Sequence, residues 1–489
     1  MICNICKPLN SNCVSCYCIF SKYVLLAILI KKSIKERWFR GMKGNVKTKR
    51  FISIVSIFVF TFITLLTFSS GKSNTVLAAQ NNNITKANND YPIVLCHGCN
   101  GWGREENFGT IAFQSRYYWG GNVDLQQELI NKGFTTYTAA VGPLSSNWDR
   151  ACELYAQIKG GTVDYGEAHS KKFGHSRYGR TYRGFYPLWG TKDNKGNIRK
   201  IHLIGHSQGG QTVRMLTQLL AKGSQEERKA SKENGSNLFK GDNSWISSVV
   251  TLASPHDGTT LADMKGTNAV SALGIGAIGS VLGNIPNSDI VFDLKVDQWG
   301  LKRKPHESFL SYFTRCNKSR MWYSRDICSV DLSTDGAVAQ NRWVKAQPNV
   351  YYFSWACCGT MTNPASLLLG HQIANPLKMG DKGLYNLQWF AQAQLMGSYS
   401  RHNSRRAIPV IDEKWWPNDG YVNTISENGP KAGSNDAIVN YNGAPKIGKW
   451  NFMGVKPMDH EDIIGRHWDG AIGFFDNMAQ MLRNLPVTD

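Results

Sequence analysis

Apolar residues in this chain gather into short unbroken runs more than into alternating ones. Pro92 to Cys96 reads Pro-Ile-Val-Leu-Cys, Ile201 to Ile204 reads Ile-His-Leu-Ile, and Ile246 to Ala253 reads Ile-Ser-Ser-Val-Val-Thr-Leu-Ala. Runs of this length, bounded by turn residues, are expected for strands buried on both faces of a parallel sheet. A further strand is expected at Thr135 to Val141. Helical patterns fall at Val123 to Lys132, Gln211 to Leu220 and Gly470 to Leu485. Two stretches break this rhythm. Residues 145–195 are polar and aromatic and read as an insertion between core strands. Residues 262–292 are apolar and almost free of charge, with Gly274, Gly276, Gly279 and Gly283 interspersed. They read either as packed core or as a mobile lid whose apolar side faces substrate. The aromatic-rich stretch between 300 and 400 predicts no definite element.

The run ending at Ile204 passes directly into Gly205-His206-Ser207-Gln208-Gly209-Gly210 and then into a helical pattern. Strand, tight turn and helix around Gly-x-Ser-x-Gly form a nucleophile elbow, and they predict an α/β-hydrolase fold. That fold has a mostly parallel central sheet with helices on both faces. Here it would carry the 145–195 insertion and a helical lid at 262–292. Glycines two residues on either side of Ser207 remove the Cβ atoms that would clash in so sharp a turn. The helix N-terminus behind Ser207 offers free N–H groups and a positive dipole end to an oxyanion. The glycine-rich loop His97-Gly98-Cys99-Asn100-Gly101 follows an early buried strand, where such a fold supplies its second oxyanion N–H. The backbone N–H groups of Cys99 and Gln208 are therefore the candidate donors. Asp419 and His460 follow Ser207 in the chain order Ser, Asp, His. On sequence alone Asp412, Asp436, His402 and His467 compete with them.

Charge changes the picture less than its size suggests. The formal net charge is +20, but residues 1–79 hold twelve Lys/Arg and one acid, Glu36, which leaves +9 for the remainder. No basic stripe with interleaved aromatics stands out, so nucleic acid is not an expected partner. The basic excess belongs to a leader. Residues 42–78 read as a signal peptide: a basic stretch from Lys43 to Arg50, an apolar stretch from Phe51 to Phe68, and Val76-Leu77-Ala78 before a cleavage point. The apolar stretch is also long enough to compete as a membrane anchor. Residues 1–41, with Cys3, Cys6, Cys13, Cys16 and Cys18, fit neither reading and are expected to be an upstream extension before a start at Met42. Residues 79–90 form an Asn-rich linker, leaving 91–489 as the folded domain. Its seven cysteines, at 96, 99, 152, 316, 328, 357 and 358, have no regular spacing and make no disulfide framework. Cys96 is expected to be a packed thiol, and Cys316 with Cys328 is a candidate pair. Within the insertion, Asp149, His169 and His175 offer ligand types that suit zinc, although their spacing equally describes solvated histidines.

Several stretches together resemble the zinc-containing bacterial lipases, both the thermoalkaliphilic group and the related staphylococcal enzymes. They are Val141 to Arg150, Gly160 to Gly166, Gly205 to Gln211, Ser254 to Thr260, Asp297 to Gly300 and Asn418 to Asn423. The resemblance spans about 90–489. It implies Ser207 as nucleophile, Asp419 as triad acid and His460 as base. It also implies zinc held by Asp149, His169, His175 and Asp297, with a structural role because four protein ligands fill a tetrahedron. The family carries calcium near the catalytic histidine, which here would fall on Gly383 and Asp462. His467 stands where the family has an aspartate, and imidazole is a poor ligand for so hard a cation.

The expected activity is that of a secreted serine hydrolase, a triacylglycerol lipase or carboxylesterase. It would cleave acyl esters of poorly soluble substrates at a lipid–water interface through an acyl-enzyme. The alternatives are an esterase or phospholipase acting on other esters, polyesters included, an acyltransferase, or an exported lipid-binding protein without catalysis.

Overall fold

The computed structural model describes residues 88–106, 115–264, 293–302, 304–366, 370–379, 385–402 and 409–488. The stretch expected to be a leader, the expected lid beyond Met264, and Gly383 lie outside the described residues. What is described belongs to one unit, Ser70–Asp489.

The apolar runs form a seven-stranded sheet. Its strands are β1 (Ile93–Cys96), β2 (Thr136–Ala139), β5 (Ile201–His206), β6 (Ile246–Leu252), β7 (Tyr351–Cys357), β10 (Ile438–Asn440) and β11 (Trp450–Lys456). Two antiparallel pairs stand apart from it: β3 (Gly161–Asp164) with β4 (Tyr178–Tyr182), and β8 (Thr360–Thr362) with β9 (Gln372–Ala374). The spatial order is β2-β1-β5-β6-β7-β11-β10, and every neighbouring pair is parallel. All residues of β1, β5, β6 and β7 are buried, as a sheet covered on both faces requires.

The helices divide between the two faces. On one, α1 (Leu125–Asn131) and the closing helix α5 (Ala471–Arg483) place Leu125, Leu129, Phe475, Met478 and Leu482 against Leu95, Ile204, Val250 and Phe353. On the other, α2 (Asn147–Lys159) and α4 (Gln208–Lys222) place Leu154, Ile158, Val213, Leu216 and Leu220 against Val94, Leu203 and Val249. Each such side chain, fully buried, contributes roughly 1.5–3 kcal/mol. The stretch read as an insertion therefore begins with a core helix. Its apolar period is hard to see because Asn147, Arg150, Glu153 and Gln157 are buried among the apolar positions. The remainder of that stretch holds α3 (Glu167–Phe173) and the β3–β4 pair. Among the described residues no helix is long and apolar enough to cross a membrane.

Strand order locates the site. From β1 the chain steps outward to β2, then returns to the other side of β1 and builds β5, β6 and β7 in the opposite direction. The reversal lies between β1 and β5, whose carboxyl ends sit side by side with Cys96 opposite Gly205. Open α/β sheets bind ligands in the crevice at such a switch point. The loops leaving these two strands carry Cys99 and Ser207.

Candidate active site and metal centre

Ser207 sits between β5 and α4 at φ 56°, ψ −129°, a backbone conformation rare for any residue with a Cβ. Such positions typically store about 1–3 kcal/mol. The turn is held by the Ser207 N–H donating to the Leu252 carbonyl at 2.9 Å. It also needs its glycines. A Cβ on Gly205 would lie 2.4 Å from the Gly209 backbone, and one on Gly209 would lie 2.1 Å from the Cys96 carbonyl oxygen. Gln208 is the first residue of α4, so its N–H has no partner within the helix, while its side chain is occupied with the Ser145 carbonyl at 3.0 Å.

The loop after β1 closes on this turn. A Cβ on Gly98 would stand 2.7 Å from the Ser207 Cβ. Arg150, fully buried on α2, donates to the carbonyls of His97, Gly98 and Gly142 and to Thr212 Oγ1. With the Gly98 carbonyl turned to Arg150, the trans peptide aims the Cys99 N–H away from it. That N–H has no backbone acceptor among the described residues. Sequence reasoning quoted Arg150 without giving it a task. Its signal was a lone arginine in a segment whose neighbours are buried.

His460 and Asp419 come together across 41 positions of chain, with His460 Nδ1 2.6 Å from Asp419 Oδ2. Asp419 is buried, and its Oδ1 accepts the N–H groups of Tyr421 and Val422 at 2.9 and 2.7 Å. The His460 N–H donates to the Asp419 carbonyl at 3.1 Å. The competitors are placed elsewhere. Asp412 caps a short turn, Asp436 serves Ala346 and Trp450, and His402 is exposed.

Two residues missed by sequence reasoning tie these parts into one line. His206, immediately before Ser207, has Nε2 2.8 Å from the His460 carbonyl, and a carbonyl can only accept. His206 is thus protonated at Nε2, and its Nδ1 accepts from the Tyr118 hydroxyl at 2.6 Å. The same hydroxyl accepts the Gly98 N–H at 2.8 Å. Burial holds the His206 pKa well below the usual histidine value, so the ring stays neutral in this role. The loop after β1, the turn at Ser207 and the loop carrying His460 are therefore linked through Tyr118 and His206. The only sequence signal for Tyr118 was the aromatic run Tyr117-Tyr118-Trp119.

A second cluster lies at the start of α2. Asp149, His169, His175 and Asp326 each turn one ligand-type atom to a common point, all within 4.8 Å of one another. His169 Nε2 is 3.3 Å from Asp149 Oδ1 and 3.2 Å from Asp326 Oδ2, and His175 Nε2 is 4.0 and 3.1 Å from the same oxygens. These four atoms are buried and have no hydrogen-bond partner. Ligands about 2.0–2.1 Å from a tetrahedral zinc stand roughly 3.3–3.4 Å apart, so the spacing suits a single ion. The outer contacts fit as well. His175 Nδ1 lies 2.9 Å from the Ser176 carbonyl, which leaves Nε2 with a free lone pair. Asp149 Oδ2 accepts from Gln298 at 2.9 Å, and His169 stacks on Trp148. Burial alone would lower the His169 pKa, but the facing Asp149 and Asp326 outweigh it and push it up to about 9. The field is one that attracts cations.

This corrects the ligand expected at Asp297. That carboxylate instead pairs with Arg180, which also holds Asp293. Its neighbours Gln298 and Trp299 do reach the cluster, Gln298 through Asp149 and Trp299 against His175. The segment is adjacent to the cluster, but its carboxylate points to the guanidinium. Asp326 had no local motif to announce it. Asp462, expected near calcium, belongs to no group of three or more convergent ligand side chains among the described residues. Cys96 is a packed thiol, pushed up to about 11 chiefly by burial. Cys316 and Cys328 are both free. The Cys328 Sγ lies 3.5 Å from that of Cys99.

Known proteins share this arrangement of chain. Residues 89–485 match the family described as lipase-like, C-terminal domain. Lipase 1 of Staphylococcus aureus is 38% identical over 384 residues, 77% of this chain and 51% of that protein. The chain thus spans about half the length of the curated relatives it matches. Among solved structures, EstA from Clostridium botulinum is 44% identical with a TM-score of 0.74, covering 88% of this chain and 97% of that one. Lipase 1 from Pelosinus fermentans is 47% identical with a TM-score of 0.69, covering 82% and 100%. With the family matched over well more than half of its residues, the chain belongs to the lipase-like C-terminal domain family.

Proposed function

We propose that this chain is a serine carboxylic-ester hydrolase, a lipase acting on esters of poorly soluble substrates such as triacylglycerols. The single observation that carries the reading is the bonded line from Asp419 through His460 and His206 to the strained turn at Ser207. Asp419 fixes His460 with Nδ1 protonated, which leaves Nε2 as the base. His460 takes the proton of Ser207 as its Oγ attacks the ester carbonyl. The N–H groups of Cys99 and Gln208 receive the oxyanion, each worth about 3–4 kcal/mol in comparable sites. His460 then protonates the departing alcohol, and water, activated by the same histidine, releases the acid from the acyl-enzyme.

Asp149, His169, His175 and Asp326 would hold zinc, which when bound supplies a structural cross-link between α2, α3 and the segment carrying Asp326. Export through cleavage after Ala78 fits a substrate found outside the cell. The test is hydrolysis of emulsified triacylglycerol and of a short soluble ester by wild type and by Ser207→Ala. The variant should lose both activities, and wild type should favour the emulsion. Hydrolysis retained by Ser207→Ala contradicts the reading.

A further inference from the structure

Two of the free cysteines meet across 229 positions of chain, with Cys99 Sγ 3.5 Å from Cys328 Sγ. The reaction as written uses neither sulfur, because Cys99 acts there only through its N–H. The contact joins the loop after β1 to the short helix Cys328–Asp331, and both side chains belong to the apolar cluster on the α1 and α5 face of the sheet. The two ends are held unequally. Cys328 is buried, its N–H donates to the Leu144 carbonyl at 3.0 Å, and its carbonyl accepts the Leu332 N–H at 2.8 Å. Two positions earlier, Asp326 turns into the cluster with Asp149. Cys99 is half-buried, and neither its N–H nor its carbonyl has a backbone partner among the described residues. A pull between the two sulfurs is therefore taken up at the Cys99 peptide.

We propose that Cys99 and Cys328 are a disulfide-forming pair, oxidised by a small-molecule disulfide such as glutathione disulfide, and that the closed bond draws the Cys99 N–H away from the oxyanion. The second half rests on the ester-hydrolase reading above. Cys99, the more exposed sulfur, attacks first as its thiolate. A bond forms between Cys99 and one glutathione sulfur, the glutathione S–S bond breaks, and the released thiolate takes up the proton that left Cys99. Cys328 then attacks the Cys99 sulfur. The Cys99–Cys328 bond forms, the mixed disulfide breaks, and a second glutathione leaves with the Cys328 proton. The protein pair loses two electrons, and the two glutathione thiols carry them. Exported chains meet oxidising surroundings, where such bonds form and persist. A disulfide holds its sulfurs about 2.05 Å apart, so the pair must close by about 1.5 Å. Oxyanion donors act only when placed to within a fraction of an ångström.

The test starts from the reduced full chain, treated with glutathione disulfide, alkylated, and mapped by mass spectrometry without reduction. The Cys99 peptide should be joined to the Cys328 peptide. On a soluble ester kcat should fall at least about tenfold with KM little changed, and dithiothreitol should restore it. Reduced Cys328→Ala should turn over like reduced wild type. Under the same treatment it should keep glutathione on Cys99, because the resolving thiol is gone. Should Cys328→Ala fail to fold, the wild-type map and its activity decide. Absence of the joined peptide overturns the proposal. So does a joined peptide with kcat unchanged, or a folded Cys328→Ala that takes up no glutathione at Cys99. Failure of the hydrolase reading would read differently, as hydrolysis by Ser207→Ala with the joined peptide still formed.

Discussion

Replacing Asp326 by Ala should empty the metal centre, and replacing Asp297 by Ala should not. Asp326 supplies one of four convergent buried atoms, and removing it leaves two histidines and one carboxylate around an open corner. An ion present at a thousandfold its dissociation constant stabilises the fold by about 4 kcal/mol. At about 2 °C per kcal/mol for a chain of this size, Asp326→Ala should lower Tm by roughly 8 °C, with no recovery on added zinc. Asp297→Ala removes a partly exposed partner of Arg180, which keeps Asp293. Its cost should be about 1 kcal/mol, near 2 °C. The assay is metal content after dialysis, with thermal unfolding in parallel. Metal retained by Asp326→Ala, or lost from Asp297→Ala, would refute the assignment.

Two further perturbations probe other parts. Gly98→Ala should lower kcat by at least about 10²-fold with an unchanged circular dichroism spectrum, because its Cβ would press on Ser207 and displace the oxyanion loop; normal turnover would contradict the placement of that loop. Asp257 is raised to about 6 by burial, against the pull of the Lys431 and Ala432 N–H groups. The folded state then binds the proton more tightly than the unfolded one, so this stabilisation is present below pH 3.8 and lost as pH rises through 6. Asp257→Asn should remove about 2 kcal/mol of the stability difference between pH 4 and pH 7, read from urea unfolding; an unchanged difference would show that Asp257 does not carry it.

The strained turn at Ser207 was legible because its determinants are local. An apolar run, two glycines and a helix within twenty residues specify it, and β1, β5 and β6 stand within two residues of the runs that announced them. The strand β7 reads Tyr-Tyr-Phe-Ser-Trp-Ala-Cys, a continuous buried run, yet its own aromatic residues replace the Val/Ile/Leu signature that marks the other strands. What escaped was the part held together by buried polar groups. α2 packs as core while presenting Arg150 and Glu153 to hydrogen-bond partners inside, so hydropathy hides it. Asp326 joins Asp149 from 177 positions away with no flanking motif. Asp297 was implied by the resemblance of its motif, Asp297 to Gly300; Gln298 and Trp299 of that motif do reach the cluster, and only the ion pair with Arg180 reveals that Asp297 faces elsewhere. Tyr118 and His206 act through single hydrogen bonds, which leave no pattern along a chain.

Every proposed step depends on Ser207 being an activated nucleophile. The most direct measurement is labelling of the intact protein with a fluorophosphonate, followed by peptide mapping. One adduct should form on Ser207, at a rate that falls steeply when His460 is replaced by Ala. An adduct on another residue, or no adduct on the folded protein, would contradict it.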